Sequence, residues 1–133
     1  MATDQDLMGF GLNALLASRL ADCASTINIT PAASGSSYAT STIIQGNQFL
    51  TYSTSATGGW LGIPAIGGSD NAARIADGFI FMNIGAGAVT LAVVNNTVTL
   101  WVAGTATSQT TVAKGHTLSF WPVSINHWAS ILG

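Results

Sequence analysis

The segment TLAVVNNTVTLW, from Thr90 to Trp101, predicts the fold of this chain more strongly than any other stretch. Two runs of β-branched, aliphatic and aromatic residues flank Asn95-Asn96, and asparagine tolerates positive φ. This pattern predicts a β-hairpin closed by a two-residue type I′ turn. In the register that follows, Val93 lies opposite Val98, and further pairs extend outward from there.

The predicted hairpin has two faces of different character, because side chains alternate along a strand with a period of two. The first face is entirely aliphatic and consists of Val89, Leu91, Val93, Val98, Leu100 and Val102. The second is uncharged and half polar and consists of Thr90, Ala92, Val94, Thr97, Thr99 and Trp101. We predict that the first face is core and that the second contacts another protein rather than bulk water.

Charge is scarce throughout the 133 residues, which fit a single domain. Only 6% of the residues are charged, against roughly 25% in a typical domain. No charged side chain occurs from Cys23 to Ser69, and Lys114 is the only one from Gly78 to Gly133. Such a chain stays soluble through Thr, Ser, Asn and Gln, or hides surface in an assembly, and we favour the assembly.

The same composition argues against several partners. Three cations cannot neutralise a run of phosphates, so we expect no nucleic acid. No run approaches the roughly 18 apolar residues of a membrane span, so we expect no membrane partner. Asp4 and Asp6 occupy the place where a secretory signal would be basic. Cys23 has no second cysteine to pair with and is expected to be a small buried residue.

Residues 1–23 are predicted to form an N-terminal helix or arm. Thr3 can cap a helix, and Asp4 and Asp6 suit the positive end of its dipole. Apolar residues then recur at spacings of three and four: Leu7, Met8, Leu12, Leu15, Leu16 and Leu20. We expect this stripe to dock against a partner or another subunit, because it would otherwise be a large exposed apolar patch.

Residues 24–133 are predicted to form a single β domain. Short strands with turn signals every eight to twelve residues are typical of an antiparallel β-sandwich or jelly roll. The strands are predicted at 27–29, 40–44, 48–52, 79–84, 89–94, 97–102, 109–112, 117–123 and 127–132. Residues 62–77 are predicted to be a long loop, and the sequence contains no repeat of fixed period.

Residue types that could carry catalysis are present but dispersed. The spacing of Gly9 to Ala14 matches a dinucleotide-binding loop, yet too few residues precede it for the buried strand that such a loop needs. His116 and His127, with Asp70 and Asp77, contain the parts of a Ser-His-Asp triad without the spacing of any known one. We therefore predict a non-enzyme, with no catalytic residues, no cofactor and no metal site.

The four tryptophans admit two interpretations. Trp60, Trp101, Trp121 and Trp128 could stack sugars, as in a carbohydrate-binding module. Sugar sites usually surround such rings with acids and amides, and here only Asn126 accompanies Trp121 and Trp128. We therefore favour positions in the core or at a subunit interface, where aromatic residues commonly act as anchors.

The C-terminal part of the chain, from Gly85 to Gly133, combines three features: a Gly/Thr/Ala/Val β domain almost without charge, the segment from Val112-Ala113-Lys114-Gly115 to Phe120, and the closing aromatic strand Trp128 to Gly133. In these features it resembles small virion proteins of tailed bacteriophages. Capsid decoration proteins, also called cement proteins, and short head-fibre or tail-tip domains share this order of features.

This resemblance implies a structural protein of the virion, assembled in the host cytoplasm. Such proteins form symmetric homo-oligomers, often homotrimers, that brace neighbouring copies of the major capsid protein. The hypothetical interface residues are Leu7, Met8, Leu12, Leu15, Leu16, Thr97, Thr99, Trp101 and Trp128.

Two other classes of function remain open. A tail or head-fibre domain that binds a host glycan or receptor would use the same β fold but expose its aromatic residues. A small hydrolase would need a pocket that joins a histidine to an acid.

Overall fold

The computed structural model describes residues 26–32, 38–67, 72–75 and 77–133. The predicted N-terminal helix, with Leu7, Met8, Leu12, Leu15 and Leu16, lies outside these described residues. The strands are β1 (Thr26–Asn28), β2 (Thr42–Ile43), β3 (Leu50–Ser53), β4 (Gly59–Gly62), β5 (Phe79–Asn83), β6 (Val89–Ala92), β7 (Thr99–Val102), β8 (Thr105–Thr107), β9 (Gln109–Val112), β10 (Thr117–Ser124) and β11 (His127–Leu132), with a 3-10 helix at Tyr38–Thr40. The predicted mainly β class is thereby confirmed.

The strands form two mixed sheets in a solenoid-like arrangement rather than a clear antiparallel sandwich or jelly roll. One sheet has seven strands in the order β1-β3-β5-β10-β11-β7-β8, and the other has four in the order β2-β4-β6-β9. From β1 to β6 the chain alternates between the sheets, and successive strands within each sheet are parallel. The β10–β11 hairpin separates β7 from β5 in the larger sheet.

The hairpin predicted around Asn95-Asn96 is wrong, because β6 and β7 belong to different sheets. Asn95 Oδ1 accepts hydrogen bonds from the backbone N and the Oγ1 of Thr97, at 2.9 and 2.6 Å. These local bonds compete with the type I′ conformation. The chain instead crosses the core here. The tight reversal with two positive φ values occurs at Ala103 (50°) and Gly104 (81°), between β7 and β8.

The residues predicted to face the core do so, although the strands pair differently. Val89, Leu91, Val93, Val98 and Leu100 are buried, and Val102 packs against the core they form. Both strands face the space between the sheets, so alternation is the same whether they pair edge to edge or across the core. Ala92 and Val94 depart from the prediction, since Ala92 is buried and Val94 packs against the core although both belong to the other face.

Strands β3 and β4 form one coil of the solenoid-like arrangement, and β5 and β6 form the next. The two coils lie in register. Leu50 pairs with Ile80 and Gly59 with Val89, which is an offset of 30 residues in both sheets. The sequence shows no fixed period, because few identical residues lie at equivalent positions of this structural repeat. The arcs 54–58 and 84–88 connect the strands of these two coils and stack on each other. The backbone N of Gly87 donates to the carbonyl oxygen of Ser55 at 3.2 Å, and further backbone bonds of 3.0 to 3.3 Å join the second arc to Ser53 and Gly59 at the ends of the first.

The stacked arcs approach so closely that they leave no room for a side chain at three glycines, Gly58, Gly85 and Gly87. A Cβ on Gly85 would lie 2.2 Å from the carbonyl oxygen of Ser55, and one on Gly87 would lie 1.9 Å from the nitrogen of Gly58. Backbone atoms cannot move aside as the end of a flexible side chain can. Glycine at 85 and 87 is therefore a condition for stacking the coils.

We predict that Gly87→Ala lowers the free energy of unfolding by about 2–3 kcal/mol, because the added methyl group must force the two arcs apart. Gly78→Ala is the matched control, since a Cβ there meets nothing within 4 Å. Urea unfolding measures both variants. Equal stability of the two would show that the arcs are not tightly stacked.

One buried polar side chain, Asn83, ties the sheets together. Its Nδ2 donates to the carbonyl oxygens of Gly87 and Val112, each at 2.8 Å, and its Oδ1 accepts from the backbone N of Gly85 at 3.1 Å. The side chain is fully buried. All three bonds are needed, because an unsatisfied buried polar group costs about 1–3 kcal/mol.

We predict that Asn83→Asp destabilises the fold at pH 7 by about 3 kcal/mol, because the carboxylate replaces two donors with a charge beside two carbonyl oxygens. Protonation restores one donor, so the difference from the wild type shrinks as the pH is lowered toward 4. Denaturant unfolding at both pH values measures this. The exposed control Asn96→Asp should stay near the wild type at pH 7. A pH-independent loss for Asn83→Asp would contradict the account.

The core is built around an aromatic cluster. Phe79 lies at its centre, with ring centroids of Phe49, Phe120 and Trp128 at 5.2, 5.3 and 5.7 Å. Trp128 is 0% exposed, so the structure corrects its placement among the interface residues. The reason is strand parity. Trp128 pairs with Leu100, which faces inward, whereas the next residue along β11 faces outward.

Candidate functional site

The candidate site is a row of side chains on the outer face of the seven-stranded sheet. Strand register places Trp121 beside Ala129, Ala129 beside Trp101, and Trp101 beside Ala106. The neighbours of these residues along β10, β11 and β7 point into the core, so the row itself points outward. We call these four residues the tryptophan row.

The small side chain of Ala129 separates the two indole rings of the row. Adjacent strands are about 4.8 Å apart, so the α-carbons of Trp101 and Trp121 are about 10 Å apart. Trp101 is 42% exposed, although its backbone is well held: its carbonyl oxygen accepts a 2.7 Å bond from Ser130 Oγ. A large exposed aromatic side chain on a rigid strand is typical of a protein contact surface.

Further exposed residues extend the row toward one end of the sheet. Val123 and Ile125 are 53% and 67% exposed. Val123 lies at the register shift between Pro122 and Ser124, and Ile125 lies in the turn between β10 and β11. Sequence reasoning missed both, because it placed Val123 inside a regular strand and did not detect the bulge.

Two of the remaining predicted interface residues lie at this same end of the sheet. The backbone N of Thr99 donates to the carbonyl oxygen of Asn126 at 2.8 Å, which joins β7 to the β10–β11 turn. Thr97 is exposed in the turn that leads into β7. The structure thus gathers Thr97, Thr99 and Trp101 in one region and excludes Trp128 from it.

A second apolar surface lies beside the row on the same sheet face. We call it the aliphatic patch and define it as Leu50, Ile80, Met82 and Ile131, with the aromatic Tyr52 beside Met82. Register aligns Leu50 with Ile80, and Tyr52 with Met82. On β10 the first of these lines passes through the polar Ser119, and Ile131 lies beyond it on β11. None of these residues was a candidate from the sequence, because no exposed face was predicted for the strands that carry them.

The edges of both sheets lack the usual protection against pairing with other chains. The outermost strands are β1, β8, β2 and β9, with sequences TIN, TAT, TI and QTTV. None of the four contains a charged residue or a proline. Their shortness, two to four residues, is the protection that remains.

The two histidines lie far apart. His116 precedes β10 and its Nδ1 lies 3.0 Å from the carbonyl oxygen of Gly133, whereas His127 Nδ1 lies 2.8 Å from Ser124 Oγ in the β10–β11 turn. The length of β10 separates them by roughly 20 Å. The contact between Ser124 and His127 is a local one within a tight turn.

Of the two acids in the hypothetical triad, the structure describes only Asp77. Asp77 Oδ2 accepts a 2.9 Å bond from the backbone N of Arg74, as expected of a local turn contact. Asp70 lies outside the described residues. In the ranges that the structure describes, no three His, Cys, Asp or Glu side chains are grouped to hold a metal ion.

A shallow groove of about 230 Å³ lies beside β7 and β8. It is lined by Asn96, Val98, Thr99, Ala106, Thr107 and Ser108. None of these side chains titrates, so the groove offers hydrogen bonds but no acid, base or nucleophile activated by a base.

In the described part of the chain no helix is long and apolar enough to cross a membrane.

Comparison with known proteins gave no match to a family model, to a curated protein or to a solved structure. The function is therefore inferred from the tryptophan row and its surroundings.

Proposed function

We propose that the chain is a structural virion protein that decorates and stabilises the capsid of a tailed bacteriophage. One observation supports this above all: the tryptophan row and the exposed Val123 and Ile125 form an uncharged outer surface on a rigid sheet. Such a surface in water favours aggregation, whereas a symmetric protein interface removes that liability. The resemblance noted in the sequence supplies the class of assembly.

The proposed mechanism is mechanical. Copies of the chain associate through the tryptophan row, together with Thr97 and Thr99, as a homo-oligomer for which the resemblance suggests a trimer. Burial of apolar surface contributes about 25 cal/mol per Å², and a stable interface buries about 800 Å² per partner. The oligomer then braces the major capsid protein, and many modest contacts add over the closed shell. No catalytic step, cofactor or metal takes part in this proposal.

We predict that Trp101→Asp dissociates the oligomer, because an unpaired charge in a dry interface costs several kcal/mol. Thr99→Lys should act in the same direction. Thr111→Lys is the control, because Thr111 is exposed on the other sheet. Size-exclusion chromatography with light scattering reports the mass of each variant. Dissociation by all three variants alike, or by none of them, would count against the tryptophan row as the interface.

Attachment to the shell needs a separate test. Purified wild-type chain should bind capsids of the encoding phage that lack it, and cryo-electron microscopy should place its density at threefold or quasi-threefold positions. Trp101→Asp should reduce occupancy strongly. Density at the tail instead would overturn the capsid assignment while leaving a virion role intact.

A receptor-binding domain of a tail or head fibre is the second candidate function. The observation that favours it is the separation of about 10 Å between the exposed Trp101 and the half-buried Trp121, with a small residue between them, because an extended glycan could stack on two rings so spaced. A glycan array distinguishes the candidates. Binding that Trp121→Ala and Trp101→Ala each abolish would favour the receptor domain over the decoration protein.

A further inference from the structure

The outer face of the four-stranded sheet carries an aromatic ring and two hydroxyl groups that the proposed function does not use. Register places Trp60 beside Thr90, and Thr90 beside Thr111. Each of these residues is followed along its strand by a fully buried one, so this line points outward. Thr90 Oγ1 and Thr111 Oγ1 lie 3.1 Å apart. One hydrogen joins the two hydroxyls, and the other hydroxyl hydrogen remains to donate to a ligand.

A second aromatic ring lies on the same face, over a glycine of β4. A Cβ on Gly62 would lie 2.8 Å from Cε2 of Tyr38 and 3.0 Å from Ser41 Oγ. Glycine in a strand often marks the close approach of another group, and here that group is the Tyr38 ring. The backbone N and the Oγ of Ser41 donate to the carbonyl oxygen of Tyr38 at 3.2 and 2.7 Å, which fixes the turn that carries the ring.

The face continues beyond Gly62 with a small side chain and an amide. Ala92 lies beside Gly62, and Gln109 lies beside Ala92. Gln109 is exposed, and its amide can both donate and accept a hydrogen bond. We call the following set the Trp60 platform: Tyr38, Trp60, Thr90, Gln109 and Thr111.

The size and the charge of the Trp60 platform fit a small neutral ligand. From β4 to β9 is two strand spacings, about 10 Å, and the two lines of residues are about 7 Å apart. A stable protein interface needs about 800 Å² per partner, several times this footprint. The strands of the sheet, TI, GWLG, VTLA and QTTV, contain no charged residue. They therefore supply no cation to pair with an anionic ligand.

We propose that the Trp60 platform binds a neutral saccharide. Trp60 and Tyr38 are half-buried, so the protein holds each ring while part of its surface meets solvent. The apolar C–H face of a sugar ring stacks on these aromatic rings. Its hydroxyls exchange hydrogen bonds with the threonine pair and the amide, because all of these groups can both donate and accept. The site lies on the other sheet from the tryptophan row, so it does not depend on the proposed virion role.

A glycan array of neutral and anionic saccharides, probed with the full chain, tests the proposal. We expect binding confined to neutral glycans. Trp60→Ala should weaken the affinity for the best-bound neutral glycan about tenfold or more, because it removes a stacking ring. Titration of amide NMR signals with that glycan measures the affinity. Binding to no glycan, binding to anionic glycans alone, or undiminished affinity in Trp60→Ala would each overturn the proposal.

The loss of one hydroxyl gives a test that keeps the shape of the surface. Thr90→Val should bind the same glycan about fivefold more weakly, because it removes one hydrogen-bonding group. Thr105→Val is the matched control, since Thr105 is exposed on β8 of the other sheet. Equal affinity in Thr90→Val and Thr105→Val would overturn the proposal. This pair decides the matter if Trp60→Ala does not fold.

The Tyr38 ring is tested through the glycine beneath it. In Gly62→Ala the added methyl group must push the ring away from the sheet, and the end of a side chain can move where backbone cannot. We expect glycan affinity to fall several-fold. Burial raises the pKa of Tyr38, so that pKa should also fall toward its ordinary value, as NMR of ring-labelled tyrosine would show. A lowered pKa with wild-type affinity would overturn the two-ring platform.

The same samples separate this site from the other candidate functions. Loss of glycan binding in Trp121→Ala together with full binding in Trp60→Ala would assign the glycan to the tryptophan row and overturn the proposal. Light scattering on each sample reports the oligomeric mass, which tests the proposed function independently because the Trp60 platform lies on the other sheet.

Discussion

Two stretches of backbone, 54–58 and 84–88, lie so close together that a methyl group cannot enter between them at Gly85 or Gly87. The rest of the structure depends on this contact. It holds two coils of the chain in register over both sheets, and Asn83 fixes its geometry by bonding the second arc to β9. Because the coils stack directly, residues with equal parity align across strands, which assembles outward-facing residues into continuous rows.

The pairing of β10, β11, β7 and β8 creates the tryptophan row on the outer face of the seven-stranded sheet. The aromatic cluster around Phe79 lies on the inner face of this sheet, and the aliphatic patch lies beside the row on the outer face. A sheet with one dry face normally carries charge on the other, but this chain has no charged residue to place there from Gly78 onward except Lys114. Contact with another protein is the alternative on which the proposed function rests.

The sequence predicted which residues face the core but not which strands pair. Alternation in Val89 to Val102 is identical for a hairpin and for an arch that crosses between sheets, so periodicity alone could not separate them. The two hydrogen bonds from Thr97 to Asn95 Oδ1 form an Asx turn, and this turn favours the arch over the hairpin. The 30-residue repeat was hidden because Gly85 and Gly87 lie opposite Ser55 and Thr57. Backbone proximity, and not residue identity, makes these positions equivalent.

The candidate site was predicted in part for the same reason. Trp101 lies on the exposed face that alternation indicated, whereas Trp128 was misplaced because its parity depends on the turn at Ile125-Asn126, which sequence spacing did not resolve. Sedimentation equilibrium of the wild-type chain over a wide concentration range tests the central claim most directly. The account predicts a single oligomeric mass, with the trimer as the expected state. A monodisperse monomer at the highest concentration would contradict it, since the uncharged outer face would then be stable in water.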